Sequence, residues 1–275
     1  MHFHPDWIVP DWPAPAGVRA VLTTRAGGVS SVPFDSMNLG GYVGDARHAV
    51  QANRALLQNA IGSQPVFLDQ VHGAKVLTIN AETPDGQVAD ACVTVRRKLA
   101  CTIMVADCLP VLLTTPAGDV VAAAHAGWRG LAGRGEGAGH GILESVYVCF
   151  SALTQAGRAS EASKTIAWLG PCIGPAAFEV GAEVKAAFEF LQPEAERFFV
   201  GISPGKYLAN LPALARLRLQ AMGITQIYGN DGTARWCTVS NPSRFFSHRR
   251  DAGTAGGGGN GFGTTGRMAA CIWLD

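Results

Sequence analysis

Cys108 and His125 are of types that can bind a metal or start a nucleophilic reaction, and their spacing brings them together. Pro116-Ala117-Gly118-Asp119 separates two apolar runs, Pro110 to Thr115 and Val120 to His125, and reads as a hairpin tip. If Ala117-Gly118 is a two-residue loop, Pro116 faces Asp119 and Pro110 faces His125. Cys108, two residues beyond Pro110, then shares a face with His125. Diagonal positions of this kind lie roughly 7–8 Å apart at Cα. One ion joins such side chains, since Zn–S is about 2.3 Å and Zn–N about 2.0–2.1 Å. A thiolate beside a general base is the other chemistry the pair supports. Both depend on register, because a one-residue slip sends the two side chains to opposite faces. A buried structural thiol beside a hydrogen-bonded imidazole uses the same residue types.

The surroundings favour chemistry. Asp107 and Cys108 follow the apolar run Thr102 to Ala106, so polar groups appear where a strand emerges. His125 opens Ala126-Gly127-Trp128-Arg129-Gly130, a small-residue turn carrying a cation. His72 sits in Asp69-Gln70-Val71-His72-Gly73 between two short apolar runs. Two His and one Cys leave a fourth position for water or substrate, the pattern of a catalytic zinc site. The remaining candidates are weaker. His2 and His4 lie on a terminus expected to fray, and His48 and His140 are expected in solvent. Cys92, Cys101, Cys149 and Cys271 lie in apolar runs and read as core. Cys172, in Gly170-Pro171-Cys172-Ile173-Gly174, is balanced between packing and a site wall. Arg25, Arg249 and Arg250 carry guanidinium forks suited to phosphate or carboxylate, although surface solvation explains each, taken singly, better.

These residues need a scaffold of interspersed strands and helices. Strands are expected over Val18 to Thr24, Pro65 to Leu68, Lys75 to Ile79, Thr165 to Leu169, Ile224 to Tyr228 and Arg267 to Leu274. Helical spacing covers Ala46 to Ala60, Gly141 to Gln155, Glu179 to Leu191 and Leu208 to Met222. The lack of clean alternation argues for an α+β fold over a doubly wound sheet. The glycine-rich stretches Gly133 to Gly139 and Gly253 to Gly263 fit neither a P-loop nor a dinucleotide motif, and the second reads as a loop excursion.

Composition narrows the function classes. At 275 residues and 48% hydrophobic content the chain can bury a sizeable core. A net charge of +1 without a basic run gives no field for nucleic acid, and no apolar stretch is long enough to span a bilayer. Seven cysteines without an export signal read as free thiols in a reducing cytoplasm. The size and full core suit a monomer.

Taken in order, several motifs resemble one known family, the YfiH-like purine nucleoside phosphorylases that carry a laccase-domain name and include the human relative FAMIN. The resemblance spans Thr23 to Leu274. It rests on Thr23 to Gly28 with Ser36-Met37-Asn38-Leu39-Gly40, Gln70-Val71-His72-Gly73, Ala89-Asp90-Ala91 and Ala106-Asp107-Cys108-Leu109-Pro110. It continues in His125 to Gly130, Gly170 to Gly174 and Phe245-Phe246-Ser247-His248-Arg249-Arg250-Asp251. The resemblance implies one domain over residues 1–275, with a mixed β-sandwich core flanked by helices. It also implies a metal held by His72, Cys108 and His125, with zinc as the ion and copper as the alternative. The implied activities are phosphorolysis of adenosine, inosine, guanosine and methylthioadenosine, and deamination of adenosine. A second implied role is an amidase editing a peptidoglycan precursor, with Cys108 as nucleophile and His125 as base. For nucleoside and phosphate the candidates are Arg25, Asn38, Asp107, Arg129 and Arg250. One Cys and two His do not suffice for a multinuclear copper cluster. The chain departs from the family pattern at His248, where Tyr is common, and in a long Gly253 to Gly261 insertion.

Overall fold

The computed structural model describes residues 2–133, 140–154, 162, 164–251 and 265–275. Two mixed sheets form its centre. The first runs β1 (Val18–Leu22), β14 (Met268–Leu274), β6 (Leu99–Val105), β2 (Gln64–Asp69) and β4 (Gln87–Val88). The second runs β13 (Gln226–Gly229), β9 (Ile166–Leu169), β7 (Leu109–Thr114), β8 (Val121–Ala126), β5 (Ala91–Thr94) and β3 (Val76–Thr78). β6, β7, β8 and β14 are buried along their whole length. That explains why they read as unbroken apolar runs and not as alternating ones.

Three apolar layers follow. Between the sheets, Leu22, Val66, Cys101, Ile103 and Ile272 meet Cys92, Leu112, Ala123 and Trp168. Outside the first sheet, α1 (Arg47–Ile61) and the N-terminal segment pack Leu57, Ile61, Trp7 and Met37 against Trp273 and Cys271. Outside the second, Val111, Ala122 and Ala124 lie under α2 (Trp128–Ala132), α3 (Ile142–Leu153), α4 (Ala182–Glu189) and α5 (Leu211–Ala221). A small sheet of β10 (Glu179–Gly181), β12 (Lys206–Ala209) and β11 (Phe199–Ser203) borders α4, and α6 (His248–Asp251) is a single turn. The result is a mixed α+β sandwich flanked by helices. Among the described residues, no helix is long and apolar enough to cross a membrane.

Several expectations shift. The helix expected over Glu179 to Leu191 begins only at Ala182, because Glu179 to Gly181 pair with β12. The one expected from Leu208 begins at Leu211, where the Asn210 side chain accepts the Ala213 N–H at 3.1 Å and caps it. The β7–β8 hairpin keeps the expected register, with Pro110 opposite His125. Its ladder nevertheless stops at Thr114 and Val121, so the connection is longer than two residues. Cys149 is half-buried on α3 and not core. The stretch Gly253 to Gly263 lies outside the described residues, as do 134–139 of the first glycine-rich stretch.

Candidate metal centre

Two connections and one strand deliver the three candidate ligands. His72 follows β2 on the crossover toward β3, Cys108 lies between β6 and β7, and His125 sits inside β8. The ligand atoms of the three lie within 4.8 Å of one another. Cys108 Sγ is 3.7 Å from His72 Nε2. Two donors on a tetrahedral zinc ion stand about 3.6 Å apart when Zn–S is about 2.3 Å and Zn–N about 2.05 Å. The two histidine rings meet edge to face at 4.8 Å between centroids. His125 is buried, Cys108 half-buried and His72 exposed, so the group runs from floor to lip.

Local backbone sets this geometry. Cys108 is turned out of line with β7 by Asp107, whose φ of 90° is rare for a non-glycine residue. The Asp107 carboxylate is occupied: it accepts the Arg249 N–H at 2.6 Å and the Thr238 hydroxyl. Gly127 leaves room beside the ligands, because a Cβ there would lie 2.9 Å from His72 Cδ2 and 3.0 Å from Cys108 Sγ. Asp90 reaches both histidines. Its Oδ1 lies 2.8 Å from His125 Nδ1 and accepts the His72 N–H at 2.8 Å.

The electrostatics follow. Burial opposes a Cys108 thiolate, yet His125 and His72 bring its pKa down to about 6. Burial opposes an imidazolium at His125, yet the Cys108 charge and the Asp90 hydrogen bond raise its pKa to about 9. Burial also works against the Asp90 charge. Hydrogen bonds from His125, Gly73 and His72 hold its carboxyl below the ordinary carboxylate range.

The group opens into a cavity of about 370 Å³. Trp128, Phe178 and Tyr42 supply aromatic walls, and Arg129, Arg249 and Arg267 supply cations. Of the five further candidates, Arg129 and Asp107 line this cavity and the other three do not. Arg25 donates to the Asp35 and Pro242 carbonyls and pairs with the Asp35 carboxylate. Asn38 is fully buried and bonds Gly40, Asp45 and Arg267. Arg250 donates to Thr238, Phe245 and Asp251. These three hold loops together. In the sequence Arg249 is marked only as a general anion binder, and nothing marks Arg267, Tyr42 or Phe178 as site residues. Asp90 stood within a quoted motif, without a role. Cys172 is fully buried, while its neighbour Ile173 lines the cavity.

Sandwich and site together define a class: a mixed two-sheet protein with one His-Cys-His group at the end of the sandwich. A family model described as multi-copper polyphenol oxidoreductase laccase matches residues 19–275. The purine nucleoside phosphorylase YfiH of Escherichia coli is 45% identical, over 97% of this chain and 98% of its own. A purine nucleoside phosphorylase of Pseudomonas aeruginosa is 44% identical over 98% of both chains. Among solved structures, a Neisseria meningitidis protein aligns with a TM-score of 0.83 at 44% identity, covering 98% of this chain and 99% of that one. YlmD from Geobacillus stearothermophilus aligns at 0.82 and 30% identity, covering 100% and 98%. The chain belongs to this laccase-domain family, together with YfiH. The family description speaks of several coppers, whereas His72, Cys108 and His125 are the one such donor group among the described residues. That set suits a single ion.

Proposed function

We propose that this chain is a zinc-dependent purine nucleoside phosphorylase. It would cleave adenosine, inosine, guanosine and methylthioadenosine with phosphate, and deaminate adenosine as a second activity. The observation that carries the reading is the His72-Cys108-His125 group opening on a cavity walled by both aromatic rings and guanidinium groups. The names of the relatives point the same way.

The cavity volume of about 370 Å³ falls in the range of small-molecule sites. Phosphorolysis joins a phosphate oxygen to the ribosyl C1′ as the bond from C1′ to the purine nitrogen breaks. The electron pair leaves with the base, which takes up a proton. The chain must therefore hold an anion and a planar base. Arg129 offers positive charge for phosphate, and Arg249 and Arg267 add to it although their guanidinium groups also donate to the Glu179 and Thr265 carbonyls. Trp128 and Phe178 offer flat faces for the purine, with guanidinium groups at 4.5 and 5.8 Å from their ring centres. His72, Cys108 and His125 would hold the ion, which when bound supplies a Lewis acid at the cavity wall.

Purified zinc-loaded protein given adenosine, with and without phosphate, tests the proposal. Adenine and ribose-1-phosphate formed only with phosphate support phosphorolysis, and inosine supports deamination. Neither product from metal-replete protein would sink the nucleoside assignment. A second reading is favoured by one observation: Cys108, His125 and Asp90 form a series of nucleophile, base and orienting carboxylate. It predicts amide hydrolysis, as in editing of a peptidoglycan precursor. That activity would survive chelation and vanish in Cys108→Ser, whereas the phosphorylase would be lost on chelation and restored by zinc.

A further inference from the structure

We propose that Asp90 is a positioning residue that sets both histidine ligands at once, through the tautomer of His125 and the backbone bend at His72. The inference rests on the metal reading of the His72-Cys108-His125 group. Asp90 immediately precedes β5 and is fully buried. A carboxylate removed from water is costly unless its lone pairs are filled. Here four donors converge on it. Oδ1 takes His125 Nδ1 and the His72 N–H, each at 2.8 Å. Oδ2 takes the Gly73 N–H at 2.7 Å and the Val71 N–H at 3.2 Å. The Asp90 main-chain carbonyl also accepts the His125 N–H at 2.7 Å.

Each half of the contact has a consequence for a ligand. Three successive N–H groups aimed at one anion form a nest, which requires a left-handed residue in the turn. His72 supplies it with a φ of 61°, a conformation that few non-glycine residues adopt. The carboxylate therefore compensates the bend that presents His72 to Cys108. At His125, a carboxylate on Nδ1 demands the proton there and leaves the Nε2 lone pair free. Histidine ligands to metals commonly donate their other N–H in this way. What sets Asp90 apart is that one side chain serves two of the three ligands.

Asp90→Asn separates this role from simple packing. An asparagine there must place its NH2 where either Oδ2 or Oδ1 stood. In place of Oδ2 it meets the Gly73 and Val71 N–H groups. In place of Oδ1 it meets the His72 N–H, and it forces the His125 ring proton onto Nε2 and blocks the ligand nitrogen. Zinc affinity by chelator competition and the absorption spectrum of the cobalt-substituted protein would be read for wild type and Asp90→Asn. The expected result is zinc binding weakened about 10–100-fold. The cobalt ligand-field bands shift while the Cys108 thiolate charge-transfer band persists. A folded Asp90→Asn with wild-type zinc affinity and cobalt spectrum would overturn the proposal. So would nitrogen-detected NMR of the zinc-loaded wild type with the His125 proton on Nε2, a result that needs no variant to fold. Wild type that takes up neither zinc nor cobalt overturns the metal reading beneath it instead.

Discussion

Cys108 and His125 stabilise each other's charged forms. Burial alone would keep the thiol protonated and the imidazole neutral. The pair reverses both, with the thiol near 6 and the imidazole near 9. Cys108 is depressed, so its thiolate is present above about pH 6 and lost as the pH falls through that value. In metal-free protein, thiolate absorbance at 240 nm is expected to rise with a midpoint near pH 6, and iodoacetamide should modify Cys108 at neutral pH. A midpoint at 8 or above would show that His125 does not stabilise the thiolate; zinc should suppress the modification. The site was partly legible at this scale. Cys108 and His125 could be placed by counting back from Pro116 and Asp119, because ladder register is arithmetic. Asp90 could not, because its partners come from the loop before β3 and from β8, which the sequence does not show to be neighbours. Arg25 and Asn38 looked like ligand-binding groups in part because some of their partners are distant: Arg25 Nη1 donates to Pro242 O across 217 positions, and Asn38 Oδ1 accepts the Arg267 N–H across 229.

At the scale of the element, the start of α2 packs tightly against the candidate site. Gly127 precedes it and Gly130 lies within it, and both press on the His72 loop. A Cβ at Gly130 would stand 2.6 Å from the Gly73 carbonyl oxygen. At Gly127 it would meet His72 and Cys108 side chains, and its φ of −66° tolerates any residue. Gly127→Ala is therefore a steric probe with no backbone penalty. It should fold, yet displace the ligands, with loss of turnover of about 100-fold and weaker zinc retention on dialysis. Wild-type turnover in Gly127→Ala would mean that the ligands move aside freely. The hydrophobic pattern marked most of the strands and helices around this point. It failed where one run serves two elements. Helical spacing through Glu179 to Leu191 hid the three residues that β12 recruits as a strand. Asn210, the cap that separates β12 from α5, lay inside another such run. Pairing partners, not local periodicity, decide those boundaries.

Across the whole molecule, two of the three candidate ligands sit where chain passes between the two central sheets. His72 leaves β2 of the first sheet for β3 of the second, and Cys108 leaves β6 of the first for β7 of the second. His125 belongs to β8 of the second. An ion held by all three would tie both crossovers to β8 and close one end of the sandwich. Metal that binds the folded chain and not the unfolded one adds stability in proportion to the logarithm of its excess. At a free concentration 100 times Kd this is about 2.7 kcal/mol. For a chain of this size that raises Tm by roughly 5–10 °C. Thermal unfolding of zinc-loaded and chelated protein should show this gap. Cys108→Ser and His72→Ala, at the two less buried ligands, should remove it by lowering the loaded Tm to the chelated one, not by lowering both. A zinc-induced rise that survives both substitutions would place the stabilising ion elsewhere. Equal Tm with and without zinc, in protein shown to bind it, would mean that the crossovers are already held by the inter-sheet core and that the ion contributes nothing to the fold.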